Sequence, residues 1–276
     1  MHFGFPLHLC QPDTGKSCAA CCGIYNFVNH GRSSTRERLR RNTQALRVSE
    51  ADLERALPEH TGICRDLDNG SAKQFATIFN CEFVGFLDER EKLVGCLLHP
   101  ALRARDLRDR SFYGRELCGG HFCLSYYYLT HSEQELVSYC LDDWYLYGLV
   151  ISDIDLVKGY CEALSNRLGE TVNRRHIRNE LLMSKVEAFF RWKLNWPFRS
   201  GAPDRFGKYR FHGDDYREIR IPYERWQQPP SRYDRILTAL ASELQDAAEL
   251  ARAEVLIDQA MESFVRMTVN YDGKST

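Results

Sequence analysis

The sequence predicts a mainly α protein of the α+β class: a small, irregular, cysteine-rich region with a short β-hairpin, followed by an α-helical region. Nine of the eleven cysteines precede Ser125. Beyond it, apolar residues recur at three- and four-residue spacing, the period of amphipathic helices. With 276 residues, 43% of them hydrophobic, the chain is long enough to bury a substantial core. We divide it into a cysteine-cluster region, residues 1–128, and a helical region, residues 129–276, either as two domains or packed as one body.

The elements follow in order. Ser34-x-x-Glu37 and Ser49-x-x-Asp52 resemble helix starts, where a hydroxyl caps free backbone N–H groups and an acid favours the positive end of the helix dipole. Pro58 is expected to end the second of these helices. Phe83 to Leu87 and Leu93 to Leu98 are short apolar segments joined by the charged stretch Asp88 to Lys92, a β-hairpin pattern that would bring Cys81 near Cys96. Thr130-x-x-Glu133 is a capping box, and Leu136, Cys140 and Trp144 behind it suggest one helix with a single buried stripe. Ile154, Val157, Cys161, Leu164 and Leu168 form a second stripe ended by Gly169. Leu182, Val186, Phe189, Phe190 and Leu194 form a third, ended by Pro197. Residues 197–230 read as a long ordered loop with a short strand around Glu218 to Pro222. A last helix is expected from about Ser231 to Tyr271, with Leu237, Leu240, Leu244, Ala247, Ala251 and Val255 along one side.

The cysteines carry the chemistry. Cys18-Ala19-Ala20-Cys21-Cys22 contains two thiols at chelating spacing, and the vicinal Cys22 would point elsewhere, toward a second site or a bridging role. Cys118-Gly119-Gly120-His121-Phe122-Cys123 pairs two more thiols around glycines that let the backbone fold closely about an ion; His121 is a secondary candidate. Soft thiolates suit zinc and iron–sulfur clusters. The expected metal ligands are Cys10, Cys18, Cys21, Cys22, Cys81, Cys96, Cys118 and Cys123, making residues 1–128 a metal-binding region. These eight could close two four-cysteine zinc sites, a paired-ion cluster, or one four-cysteine iron–sulfur cluster with spare thiols. Cys64, Cys140 and Cys161 lie outside the pattern and are expected to pack in cores.

This cysteine order resembles the zinc- or iron-chelating cysteine-cluster family of the YkgJ type, whose pattern is CxxCxxCC, a Cys-Pro-Phe-Leu-like segment, a cysteine after a hairpin turn, and a closing pair. Cys18, Cys21 and Cys22 match the CxxCC end, and Cys81-Glu82-Phe83-Val84-Gly85-Phe86-Leu87-Asp88 resembles the middle segment. Gly95-Cys96-Leu97-Leu98-His99-Pro100 is similar to the post-turn cysteine, and Cys118 with Cys123 to the closing pair. Seven residues separate Cys10 from Cys18, where the family pattern has two. The resemblance covers about residues 8 to 125 and implies metal binding with zinc or iron. Some flagellin lysine methylases carry a similar cluster.

Other classes find less support. A net charge of −1 argues against a dedicated nucleic-acid or anionic-membrane binder, and no run of about 18 apolar residues would cross a bilayer. Met1 to Cys10 does not read as a secretory leader, so a cytoplasmic protein is expected, where clustered cysteines are metal ligands or catalytic thiols more often than disulfides. Gly15-Lys16-Ser17 lacks the first glycine and preceding strand of a P-loop. The CxxxCxxC of radical S-adenosylmethionine enzymes and the HxE with PCxxC of zinc deaminases are absent. Arginine exceeds lysine more than threefold. Arg32, Arg36, Arg38, Arg40, Arg41 and Arg47, then Arg103, Arg105, Arg108, Arg110 and Arg115, either face an acidic protein partner or pair within the chain with Glu37, Asp106, Asp109 and Glu116. The aromatics Trp192, Trp196, Phe198, Tyr209, Phe211, Tyr216, Tyr223 and Trp226, around His212, Asp214 and Asp215, either line a pocket or anchor their loop. The expected function is a metal-binding cysteine-cluster protein. The rivals are an iron–sulfur redox or protein-modifying enzyme, methylase-like for example, and a zinc-stabilised interaction scaffold.

Overall fold

The computed structural model describes residues 8–69, 71–177 and 179–272; most of the stretch considered for a leader, residues 1–7, lies outside these. Helices dominate and two small antiparallel sheets accompany them, so the mainly α, α+β class holds. No helix among the described residues is long and apolar enough to cross a membrane.

Two helices open the chain, α1 (Arg32–Ala45) and α2 (Glu50–Asn69). Ser49 caps α2 as expected, accepting from the Asp52 N–H. The first helix starts at Arg32 rather than at Ser34, whose hydroxyl instead donates to Asn29 Oδ1. Pro58 does not end α2. The helix runs through it because Leu53, Leu57, His60 and Cys64, spaced along one face, are all buried. His60 Nε2 also meets the Glu82 carbonyl at 2.8 Å. That burial outweighs a proline penalty of about 3 kcal/mol.

The hairpin is present: β1 (Val84–Phe86) pairs antiparallel with β2 (Val94–Cys96), and Val84 faces Cys96. Asp88 Oδ1 accepts from the N–H groups of Lys92 and Leu93, fixing the turn. Two short helices follow, α3 (Gly114–Gly120) and α4 (Leu124–Tyr128).

The Thr130–Glu133 capping box starts α5 (His131–Cys140). The stripe from Leu136 to Trp144 is not one helix: Asp143 caps a new one, α6 (Trp144–Ile151), by accepting from Tyr145 N–H. The segment α7 (Ile154–Leu168), ended by Gly169 at φ 74°, agrees with its pattern; the third stripe holds only to Phe190, where α8 (Glu180–Phe190) stops, and Leu194 lies exposed in a separate single turn, α9 (Trp192–Asn195), before Pro197. The strand placed near residues 218–222 is in fact a three-stranded meander, β3 (Arg205–Phe206), β4 (Tyr209–His212) and β5 (Asp215–Glu218), with turns at Gly207 and Gly213 in positive φ.

The last helix is two. After α10 (Asp234–Ala239) the chain turns at Ala241, φ 58°. There the Ser200 and Glu243 N–H groups bond the Ala241 and Phe198 carbonyls, tying the break to the preceding loop. Asp246 accepts from Glu249 N–H near the start of α11 (Ala247–Asp272), which buries Leu250, Ala253, Ile257, Met261 and Phe264. The expected stripe fails beyond the break, and Val255 is exposed.

The main core packs α5 to α8 with α10 and α11, and takes in Leu9 from the chain start. A smaller core joins Ile24, Tyr25, Leu39, Val84 and Phe86 to Trp144, Tyr145 and Leu149 of α6. Residues from both sides of position 128 therefore share cores. Tyr25 donates to the Tyr145 carbonyl at 2.9 Å and lies against Gly148, where any Cβ would fall 2.3 Å from its hydroxyl.

Candidate metal centre

The thiols are held by loops pinned to the hairpin. Cys18 N–H donates to the Cys10 carbonyl at 2.8 Å, closing the loop between them, and Asp13 braces it by accepting from Gly15 and Lys16 N–H and pairing with the buried Lys16 ammonium. Ser17 is 1% exposed; its hydroxyl donates to the Val94 carbonyl and accepts from the Val94 N–H, fixing Cys18 beside β2. The motif that imitated a P-loop is thus a clamp on the hairpin.

A single 3₁₀ turn, Ala20–Cys22, carries the vicinal pair and ends at Gly23, φ 81°. A Cβ there would stand 2.9 Å from the Phe79 carbonyl oxygen, so glycine allows residues 79–81 to approach. Cys81 N–H donates to the Cys22 carbonyl at 2.9 Å, and Asn80 Nδ2 to the Gly23 carbonyl. Cys96 ends β2, Cys118 lies in α3 with Ser111 Oγ 3.8 Å from its sulfur, and Cys123 is the N-cap residue of α4.

The eight thiols fall into two neighbourhoods. Cys10, Cys18, Cys21 and Cys123 form one: burial pushes the Cys10 thiol up to about 12, with Cys21 and Cys123 adding to it. Burial likewise raises Cys18, partly offset by the Ala20 N–H at 3.4 Å, with Cys21, Cys10 and Cys123 raising it further. Cys22, Cys81, Cys96 and Cys118 form the other. Burial raises Cys81 and Cys96, and each feels its neighbours in this set. The adjacent Cys21 and Cys22 join the two neighbourhoods. The neighbouring Cys22 thiol, and then His121, favour the thiolate at Cys21, while Cys21 and burial raise Cys22.

Gathering several would-be thiolates out of water is unfavourable unless a cation shares the space, and a bound metal reverses that balance. The donor chemistry fits zinc or an iron–sulfur cluster. Among the described residues, however, no three His, Cys, Asp or Glu side chains converge closely enough to hold a metal ion. The thiols are gathered rather than closed, and either set needs a further approach of its sulfurs to enclose an ion. Cys21 and Cys118 are exposed, the other six partly covered.

The three remaining cysteines are buried. Cys140 and Cys161 lie in the helical core, while Cys64 contacts His60 and Asn42 Oδ1 at 3.6 Å. The arginine runs pair within the chain, but largely with acids other than those expected. Arg36 and Arg40 reach Glu91, Arg47 reaches Glu89, Arg103 reaches Glu50, Arg105 and Arg110 share Glu54, and Arg32 reaches Asp143. Among the described residues, Arg108–Asp106 and Arg115–Asp109 match the anticipated partners. Of the aromatics after Trp192, several anchor the loop: Trp196 donates to Ser242 Oγ and Tyr223 to Asp234. A cleft of about 440 Å³ lies instead between α7, α10 and α11. Its charges are internally paired, Arg167 and Arg232 with Asp258, and Arg235 with Glu162.

Two features of the site, the Ser17 clamp and the close approach at Gly23, have no cysteine-spacing signal in the sequence. A small residue directly after a vicinal cysteine pair was the only signal for the second. Comparison with protein-family models, curated proteins and solved structures finds no match to this chain.

Proposed function

We propose that the chain is a metal-binding protein in which Cys10, Cys18, Cys21 and Cys123 hold one centre and Cys22, Cys81, Cys96 and Cys118 a second, occupied by zinc or an iron–sulfur cluster. The observation that carries this reading is the division of eight thiols into two sets of four joined at Cys21–Cys22. The order of the cysteines, similar to the YkgJ-type pattern, supports it as well. A metal would favour thiolates in all eight positions and would stabilise a region with little apolar core of its own. Eleven free thiols fit a reducing, cytoplasmic setting.

Anaerobic purification, followed by metal and sulfide analysis and an absorption spectrum of one sample, tests the proposal. Stoichiometric zinc without a visible band supports two structural centres. Iron with sulfide and a broad band near ~400 nm, bleaching on reduction, identifies clusters. Neither metal at near-stoichiometric amount overturns the proposal.

A further inference from the structure

The meander carries a row of arginines. Arg205 of β3 faces Arg210 of β4, and Arg210 faces Arg217 of β5. Paired residues share a sheet face, so the three lie on one side. The other side carries Tyr209, Phe211 and Tyr216, and Phe75 packs on the last two at 5.5 and 5.7 Å. Like charges directly opposite on neighbouring strands are destabilising, and the same face carries one acid of the sheet, Asp215, paired with His212 beyond the row.

Compensation is thin. Arg205 is 5% exposed, its Nε donates to the Gly207 carbonyl at 2.8 Å, and it has no carboxylate partner among the described residues. The Nε of Arg210 is buried without an acceptor, and the carboxylate nearest to it is Asp204 at 3.6 Å. Arg217 is exposed and pairs with no acid among the described residues. Arg199 donates to the Lys193 carbonyl and likewise has no acid partner among them. Burial, then Arg210 and Arg199, lowers Arg205 to about 10, against a partial offset from Glu243 and Asp204. A buried guanidinium without a carboxylate is unfavourable until an anion meets it.

We propose that this arginine face binds a phosphate-rich anion of the diphosphate class, with Arg205 as the buried anchor and Arg210 and Arg217 as the accessible clamp. Guanidinium forks match phosphate oxygens bidentately. Adjacent strands about 4.8 Å apart set neighbouring guanidinium groups at a spacing that two linked phosphate groups bridge. Three arginines on the face, against Asp215 on it and Asp204 beside Arg210, leave it net positive and favour a multiply charged anion over a single carboxylate. The face is short, and the chain's overall charge of −1 disfavours an extended nucleic acid. The proposal uses none of the cysteines and does not depend on their metal.

The test is calorimetric titration of the full chain with inorganic pyrophosphate at fixed ionic strength, beside orthophosphate and chloride. The expected result is saturable binding, with pyrophosphate about tenfold or more tighter than orthophosphate. Arg210→Gln and Arg217→Gln should each weaken it by about tenfold. Without ligand, both variants should melt at or above the parent temperature, because a like-charge contact is relieved. Absence of saturable binding overturns the proposal. So does binding unchanged in the Arg210→Gln/Arg217→Gln double variant, which would mark pyrophosphate held by metal. A lower melting temperature in both variants with unchanged affinity assigns the row a structural role instead.

Discussion

The thiol region and the helical region are stabilised by different means. The helical region buries Leu136, Tyr147, Leu164, Phe190, Leu237 and Phe264 in one continuous core, so its stability comes chiefly from apolar burial. The thiol region has two small cores and relies on single polar pins, Ser17 on Val94, Asn80 on Gly23 and Asn42 on Val84. Burial favours the neutral form of most of its thiols, and only a cation would favour their thiolates together. Metal dependence is therefore expected of one region and not of the other, although they share residues such as Tyr25 and Tyr145.

Extracting metal from the purified protein should have the largest effect, since a structural thiolate centre contributes on the order of 10 kcal/mol. Amide hydrogen exchange should then accelerate over residues 17–23 and 79–98 while α5 to α8 keep their protection. Unchanged exchange in the thiol region would remove the contrast. Truncation in the other region should act without regard to metal. Phe190→Ala is expected to cost about 3–5 kcal/mol in urea unfolding, equally in metal-loaded and metal-depleted protein.

Gly23→Ala sharpens the comparison within the thiol region. Positive φ and the Phe79 carbonyl together predict a loss of about 1–3 kcal/mol and weaker metal retention, measured by competition with a chromogenic chelator.

The regions should also differ with pH. Coordinating thiols must lose their protons, so the thiol region should release metal as pH falls. Burial raises Cys140 in the helical core from 9.0 to about 12. Its neutral form is the one the fold favours, so this contribution is complete below pH 9 and declines as pH rises toward 12. By pH 10 the loss is about 1.4 kcal/mol, and Cys140→Ala should reduce the slope of urea midpoints measured at pH 8, 9 and 10 by that amount, leaving the share of Cys161, which burial raises as well.

Much of this was legible in the sequence where one local signal sufficed. The Thr130–Glu133 box, the Gly169 stop and the hairpin at residues 83–98 rest on near neighbours, and they formed as expected. Tertiary context decided the rest. Pro58 sits inside a helix because His60 and Cys64 are buried beyond it, and the apolar run from Leu237 to Val255 breaks where residues 198–200 pair with the chain. In the site, cysteine spacing identified donors but not their sorting. Cys123 joins the neighbourhood of Cys10, whereas Cys118, five positions earlier, joins that of Cys22. The short helix α3 and the turn after it separate them, and no spacing rule encodes that.

The central claim is that two four-thiolate centres meet at Cys21–Cys22. Native mass spectrometry of anaerobically purified protein, compared with Cys18→Ser, Cys81→Ser and the double variant, tests it most directly. Two metal centres are expected in the parent, one lost in each single variant, and none in the double variant. A parent chain free of metal, or a single centre lost in either single variant, would contradict it.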